Sequence, residues 1–405
     1  MKNINPNIIA IGWVSFFTDM ASAMLVPILP IYLVSVLNQG ADKLGMVLAI
    51  SSFISYFLRY IAGYLSDKLG RVKSFLLLGY LISAIAKPLF SITSSWQSVA
   101  GLKSFERLGK AIRTAPKDVL ISHFSAKNQS GKGFGFHKMM DITGELVGSF
   151  IIFSILYFYD FDQASSSNYE LIKNIFLATA IPGSIGFIIA LIFVEDIGLT
   201  KNTSILAAEP SSTSIKEQPN RPSSVALKKQ MLFFFLFSFL LMEEAFFILQ
   251  SQKVMLGLIM IPLLLMFNKL VQTLSSYQIG LIADKISPNK LMPVTYVFAL
   301  LALACFAQES KILLWFGFGF LGLYSVTGLN LMRSLIAKQT TRTGHYYGLF
   351  YTGMAIALSL GALFWGYLWQ LLGGYLAINM ALMLVAFLFI AFLLLTYFSL
   401  YFDDE

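Results

Sequence analysis

Between Lys103 and Ser122 the chain reads KSFERLGKAIRTAPKDVLIS, and three- and four-residue spacing gathers its charges on two helical stripes. Lys103, Arg107 and Lys110 share one, while Glu106, Lys110 and Arg113 share the next. Such a surface cannot face lipid. Glu106 and Lys110, four apart, can pair on the same helix, which leaves Arg107 and Arg113 to meet partners on other helices or an anionic solute. The following stretch, GKGFGFHKMMDITGELVGSF, places His137, Asp141 and Glu145 at intervals of four, with Lys138 three before Asp141. Two acids on one stripe suit proton exchange, because a second carboxylate favours holding a proton and a neighbouring base favours its release. A static ion-pair network between two helices is the alternative. Asp19, in FFTDMASAMLVPILPIYL, faces a wet interior or caps an interface. The adjacent Glu243 and Glu244 point about 100° apart on a helix, so one of them turns inward. Lys269 with Asn268, and Arg333 in GLNLMRSLIAKQT, are candidate partners; His345 reads as interfacial.

These groups stand in a chain that is 57% hydrophobic and 12% charged, which excludes an ordinary soluble domain. Apolar runs long enough to cross about 30 Å of hydrocarbon as helices lie at roughly 7–37, 42–65, 74–94, 97–122, 132–159 and 170–194. Six more lie at roughly 229–250, 254–283, 290–308, 312–337, 345–371 and 374–400. We therefore expect an all-α polytopic membrane protein of twelve transmembrane helices. The stretch 195–228 is rich in Ser, Thr, Pro, Asn and Lys and reads as a flexible linker between a bundle at 1–194 and another at 229–405. The first apolar run extends beyond Pro27 and Pro30, too long for the core of a cleavable signal. With Cys305 as the only cysteine, an intramolecular disulfide is excluded. Gly144 and Gly148 have the spacing of a close helix contact. Most aromatic residues read as lipid-facing, with Tyr32, Tyr56, Tyr324 and Trp365 weakly expected as walls of a solute site.

A charged turn, GYLSDKLGRVK from Gly63 to Lys73, separates the second and third runs and returns as GLIADKISPNK from Gly280 to Lys290. Gly63, Asp67, Gly70 and Arg71 in the first copy, and Gly280 and Asp284 in the second, resemble the signature turn of the major facilitator superfamily. Ser287 and Pro288 replace the second glycine and the arginine in the second copy. GKAIRTAPKD, Gly109 to Asp118, is similar to a motif of a bacterial subgroup of that superfamily and departs from it at Ala111 and Lys117; FGFH followed by a base, then Met-Asp, resembles the same subgroup. The proline of the superfamily's antiporter signature is missing after Gly148. The resemblance implies two pseudo-symmetric six-helix halves, a solute site near the midplane and a monomer. It also implies a gating role for the charged turns. Lys117 and Asp118 are expected to latch a gate, and Arg113 to serve either the gate or the solute.

Placing the Gly63 turn in the cytoplasm puts Lys68, Arg71, Lys73, Lys127, Lys132, Lys201, Lys216, Arg221, Lys228, Lys229, Lys285, Lys290, Lys338 and Arg342 on that side. Lys43, Lys173, Lys253 and Lys311 fall on the other. The asymmetry predicts both termini and the central linker in the cytoplasm, and it accounts for the net charge of +8 without invoking nucleic acid; the resemblance to a bacterial subgroup implies a bacterial inner membrane. Neither an ATP-binding loop, a zinc-ligand cluster nor a hydrolytic nucleophile motif is found, so we expect no enzyme activity and no cofactor. The expected function is secondary transport of a small anionic or zwitterionic solute, with protons as the coupling ion. Proton-driven multidrug efflux is the alternative, supported by Asp19, Glu243 and sixteen methionines. A membrane receptor or assembly factor that kept the fold and lost transport is the alternative of another class.

Overall fold

The computed structural model describes residues 4–69, 71–125, 130–159, 167–197, 224–254, 257–286, 288–339 and 343–402. Among them there is no strand. The helices are α1 (Pro6–Leu25), α2 (Leu29–Ile31), α3 (Ala41–Leu69), α4 (Val72–Ala86), α5 (Trp96–Phe124), α6 (Ser130–Phe158), α7 (Ser167–Ala178) and α8 (Ala180–Phe193). They continue as α9 (Ser224–Leu240), α10 (Glu244–Lys253), α11 (Gly257–Lys285), α12 (Pro288–Phe306), α13 (Lys311–Gln339), α14 (Thr343–Leu372) and α15 (Gly374–Phe402). A π-helical turn, Tyr32–Val36, extends α2, and a 3₁₀ turn, Pro88–Ile92, extends α4.

Ten helical segments among the described residues are long and apolar enough to cross a membrane. The remaining two are α5, whose charges lower its hydropathy, and α12, whose apolar part runs from Lys290 to Phe306. The protein is thus an all-α polytopic membrane protein with twelve spanning segments. Three of the twelve are assembled from two helices each: α1 with α2, α7 with α8, and α9 with α10. Local chemistry sets several ends. Asn5 caps α1 by accepting from the Asn7 amide at 2.9 Å, with Pro6 in the first turn, where its missing N–H costs nothing. Ser95 and Ser98 cap α5 reciprocally, and Pro88 ends α4 at Lys87.

The chain divides into two compact units, one of Met1–Asn38 with Ile50–Arg221 and one of Gln39–Ala49 with Pro222–Glu405. In the first, α1 packs on α6 and α8, and α4 packs on α5 and α8. In the second, α9 packs on α14, and α12 packs on α13 and α15. The pairing of the first span with the fifth, and of the third with the fourth and sixth, recurs in the second unit, so the internal repeat seen in the charged turns extends to helix packing. Glycine lets the paired helices approach. A Cβ on Gly144 or Gly148 of α6 would collide with the carbonyl oxygens of Phe16 and Met20 on α1. The equivalent contact in the second unit sets Gly361 of α14 against α9, where a Cβ would lie 2.6 Å from the Phe239 oxygen.

The units differ in what they bury. The second has an aromatic core, with Phe237 stacked on Tyr296 at 3.6 Å and Phe247 on Phe306 at 4.1 Å. Trp365, fully buried there, donates its indole N–H to the Phe239 oxygen at 3.2 Å, which makes it a core residue and not a site wall. Tyr32 in the first unit is likewise fully buried, with its hydroxyl donating to the Thr93 oxygen. Among the described residues, every buried charged or imidazole side chain lies in the first unit: Lys87, Lys103, Glu106, Arg113 and His137.

Candidate functional site

The site is built on α5. A helix with seven ionised side chains between Lys103 and Asp118 is stable in a membrane only if their charges find partners. Glu106, 4% exposed, supplies the first. Its Oε2 lies 3.2 Å from Lys103 Nζ and 3.7 Å from Arg107 Nε. The expected pairing of Glu106 with Lys110 is therefore replaced by contacts to Lys103 and Arg107. Lys110 sits in the field of Arg107, Arg113, Asp19 and Glu106, so it stays within the same cluster.

A fourth base enters from α4. Lys87, at the helix end set by Pro88, is 0% exposed and donates from Nζ to the Thr18 oxygen of α1 at 2.9 Å. The charges that act on it are Glu106, Arg113, Asp19 and Lys103. Sequence reasoning did not select it; the available signal was a lone lysine inside the apolar run AIAKPLFSI. One buried carboxylate thus faces Lys87, Lys103, Arg107 and Lys110. Bases outnumber acids around it, and the group best suited to complete it is an anion.

One turn further along α5, Arg113 is 5% exposed. Its Nη1 donates to the Ser83 hydroxyl on α4, and its guanidinium lies 4.8 Å over the Tyr80 ring. The Tyr80 hydroxyl is 3.3 Å from Ser15 Oγ on α1, and Ser15 Oγ is 2.7 Å from His137 Nε2 on α6. His137 Nε2 is in turn 3.4 Å from Asp141 Oδ1, which realises part of the predicted stripe. Lys117 is half-buried and faces Asp141, Tyr80, Asp118 and Asp19, which places it against this row, while Asp118 is exposed. Close packing explains how α4 and α5 bring their polar groups together: a Cβ on Gly79 would lie 2.6 Å from the Gly109 oxygen, and one on Gly109 2.7 Å from the Gly79 oxygen. Ser15, Tyr80 and Ser83 carry no periodic signal, and the sequence did not reveal them.

The other predicted residues are distributed as follows. Asp19 is half-buried on α1 and faces Lys87, Lys110, Lys117 and Asp141. Glu145 is half-buried one turn beyond Asp141, and Lys138 is exposed on α6. In the second unit the spacing argument for Glu243 and Glu244 does not hold, because the helix breaks there. Glu243 has extended backbone ahead of α10, Glu244 occupies its first turn, and both are half-buried. Lys269 is half-buried on α11. Its neighbour Asn268 is buried and donates to the Phe318 oxygen at 3.0 Å, a contact that ties α11 to α13. Arg71 is exposed at the start of α4. Gly70 and the side chains of Asp67, Asp284, Arg333 and His345 lie outside the described residues, as does the surrounding of Gly63 and Gly280.

The structure is that of a helical membrane protein with buried charge in its first unit, and comparison with known proteins gives its family. An uncharacterized MFS-type transporter of Methanocaldococcus jannaschii, MJ1317, is 32% identical over 386 residues, 91% of this chain and 90% of the relative. Among solved structures, the nucleoside transporter NupG is similar with a TM-score of 0.74 at 14% identity, covering 95% of this chain and 98% of its own. A POT family transporter solved in complex with 5-aminolevulinic acid reaches 0.75 at 11% identity, covering 96% of each chain. At those identities the two structures speak for the fold alone. The sequence model of the Major Facilitator Superfamily matches residues 11–362, so the chain is a member of the Major Facilitator Superfamily.

Proposed function

We propose that this protein is a proton-coupled secondary transporter that carries a small anionic or zwitterionic solute by alternating access. The observation that carries the reading is the concentration of charge on α4, α5 and α6, with Lys87, Lys103, Arg107 and Lys110 around the buried carboxylate of Glu106 and the half-buried Asp19 as a further acid. Such a set is costly to keep in a membrane without a solute or ion to complete it. Asp141, beside His137 and facing Lys117, is the proton-exchanging group of the reading, with Asp19 and Glu145 as its acidic neighbours. The turns at Gly63–Arg71 and Gly280–Asp284 act on the conformational equilibrium. In this reading the protein is a monomer of a bacterial inner membrane, and the distribution of Lys and Arg supports placing both termini in the cytoplasm.

The test is thermal unfolding of the detergent-solubilised protein against a solute panel at two pH values, since a ligand that binds only the native state raises its stability. Stabilisation by carboxylate-bearing solutes that disappears in Arg107→Ala supports the reading and supplies a substrate for flux assays in liposomes. Stabilisation confined to lipophilic cations and dependent on Asp19 or Glu243 replaces it with drug efflux. A bound solute that is never moved makes the protein a receptor.

A further inference from the structure

The row of contacts between Arg113 and His137 joins the two chemistries of the proposed transporter, and nothing in that reading requires them to touch. We propose that Tyr80 and Ser15 are coupling residues, through which the protonation state of His137 sets how firmly Arg113 is held. This deepens the proton-coupled reading above and rests on it.

Ser15 has one hydroxyl proton and two polar neighbours, His137 Nε2 at 2.7 Å and the Tyr80 hydroxyl at 3.3 Å. It can donate to only one of them at a time. In the neutral ring with its proton on Nδ1, Nε2 is an acceptor, and Ser15 donates to it and accepts from Tyr80. When the ring gains a second proton, on Nε2, it donates to Ser15 at 2.7 Å in preference to Asp141 Oδ1 at 3.4 Å, and Ser15 turns its own proton towards the Tyr80 oxygen. Tyr80 therefore changes from donor to acceptor, with no proton leaving its hydroxyl. A phenol that donates has a more electron-rich ring than one that accepts, and the Arg113 guanidinium lies 4.8 Å over that ring. Protonation at His137 thus weakens the hold on Arg113 and leaves it to the Ser83 hydroxyl and to any anion nearby.

The charges that face the His137–Asp141 pair come from every packed element. Lys117 stands on α5, Asp19 on α1, and Lys138 and Glu145 on α6 itself. All of them act on His137 through space whether or not the relay exists, so the experiment must separate contact from field.

The chain has three histidines, and His123→Gln with His345→Gln leaves His137 as the sole signal. The full chain labelled with ¹⁵N-histidine is placed in liposomes, and the ring ¹⁵N shifts of His137 are read by solid-state NMR. Arg113→Lys keeps the charge but not the planar group over Tyr80, so it should move the His137 shifts. The same substitution in a Tyr80→Phe background, which keeps the ring and removes the hydroxyl, should move them no further. Ser15→Ala provides a second background that must behave alike. Equal movement with and without the Tyr80 hydroxyl, or no movement in any background, overturns the proposal. No solute is needed for this reading, so a relay found in a protein that binds no solute rejects the transport function alone. Additive shifts in a protein that does transport reject the relay alone.

Discussion

Lys87 Nζ lies 2.9 Å from the carbonyl oxygen of Thr18, so a lysine with no solvent exposure ties the end of α4 to the middle of α1. That oxygen also accepts from Ser22 Oγ at 3.0 Å. The ammonium has Glu106 and Asp19 as its nearby acids and Arg113 and Lys103 as its nearby bases. Acids and bases are thus equal in number around it, an arrangement that differs from a closed ion pair. Both neighbouring acids also act on Lys110, so Lys87 shares its carboxylates with that base.

Removing the charge of Lys87 while keeping its length separates the two roles. Lys87→Met loses a charge-assisted hydrogen bond of about 1.5–3 kcal/mol but also relieves the burial of an ammonium, so its net stability should change by no more than about 2 kcal/mol. Stabilisation by anionic solutes should vanish. Unfolding curves with and without solute check both; a variant that still responds to carboxylates removes Lys87 from the site.

Glu106→Gln acts in the opposite sense. It leaves Lys103 and Arg107 without their buried partner, a loss of about 3–5 kcal/mol in the protein alone. A solute carboxylate can then supply the negative charge that the amide lacks. Anionic solutes should raise the unfolding temperature of Glu106→Gln by more than they raise that of the parent chain, while neutral solutes raise neither. Equal shifts in the two proteins would mean that the solute does not meet these bases.

How far this was legible in the sequence depends on whether a group belongs to a periodic pattern. The charges of α5 recur at three- and four-residue spacing, and so do His137 and Asp141, so helix geometry alone put them together. Lys87 is a single base beside a proline, and Ser15 and Tyr80 are common residues of apolar spans; only packing gives them meaning. The break between α9 and α10 falls in SFLLMEEAFF, which contains neither glycine nor proline, so no local residue type announced it. Spacing gave the stripe that holds Glu106, Lys110 and Arg113, but not which of the neighbouring bases Glu106 would choose.

Gly144 and Gly148 were legible as a contact and allow a steric prediction. Gly144→Leu or Gly148→Leu forces α6 away from the α1 backbone, at a cost of at least about 1–3 kcal/mol from overpacking. Gly101→Ala on α5, where an added Cβ meets nothing within 4 Å, should be neutral or stabilising by up to about 1 kcal/mol. Yield of monodisperse protein and its unfolding temperature rank the three. A destabilised Gly101→Ala would contradict the open surroundings at that position.

The signature turn leads to a kinetic expectation. If Asp67 acts on the conformational equilibrium and not on the solute, Asp67→Asn should slow turnover about tenfold or more, the effect of some 1.4 kcal/mol on a barrier, and leave solute affinity within about twofold. Uptake rates in liposomes and equilibrium binding in detergent measure the two separately. Weakened binding with normal cycling reverses the assignment.

Asp141 separates coupling from carriage. In Asp141→Asn the group beside His137 can no longer release a proton, although its size and one hydrogen-bonding oxygen are kept. Exchange of labelled for unlabelled solute across a liposome membrane needs no net proton movement and should persist at near the parental rate. Accumulation driven by a pH gradient should fall to the level seen without one. A variant that still accumulates solute on a gradient would move the proton site to another acid, with Asp19 and Glu145 the next to substitute, because both face Asp141 within the same cluster.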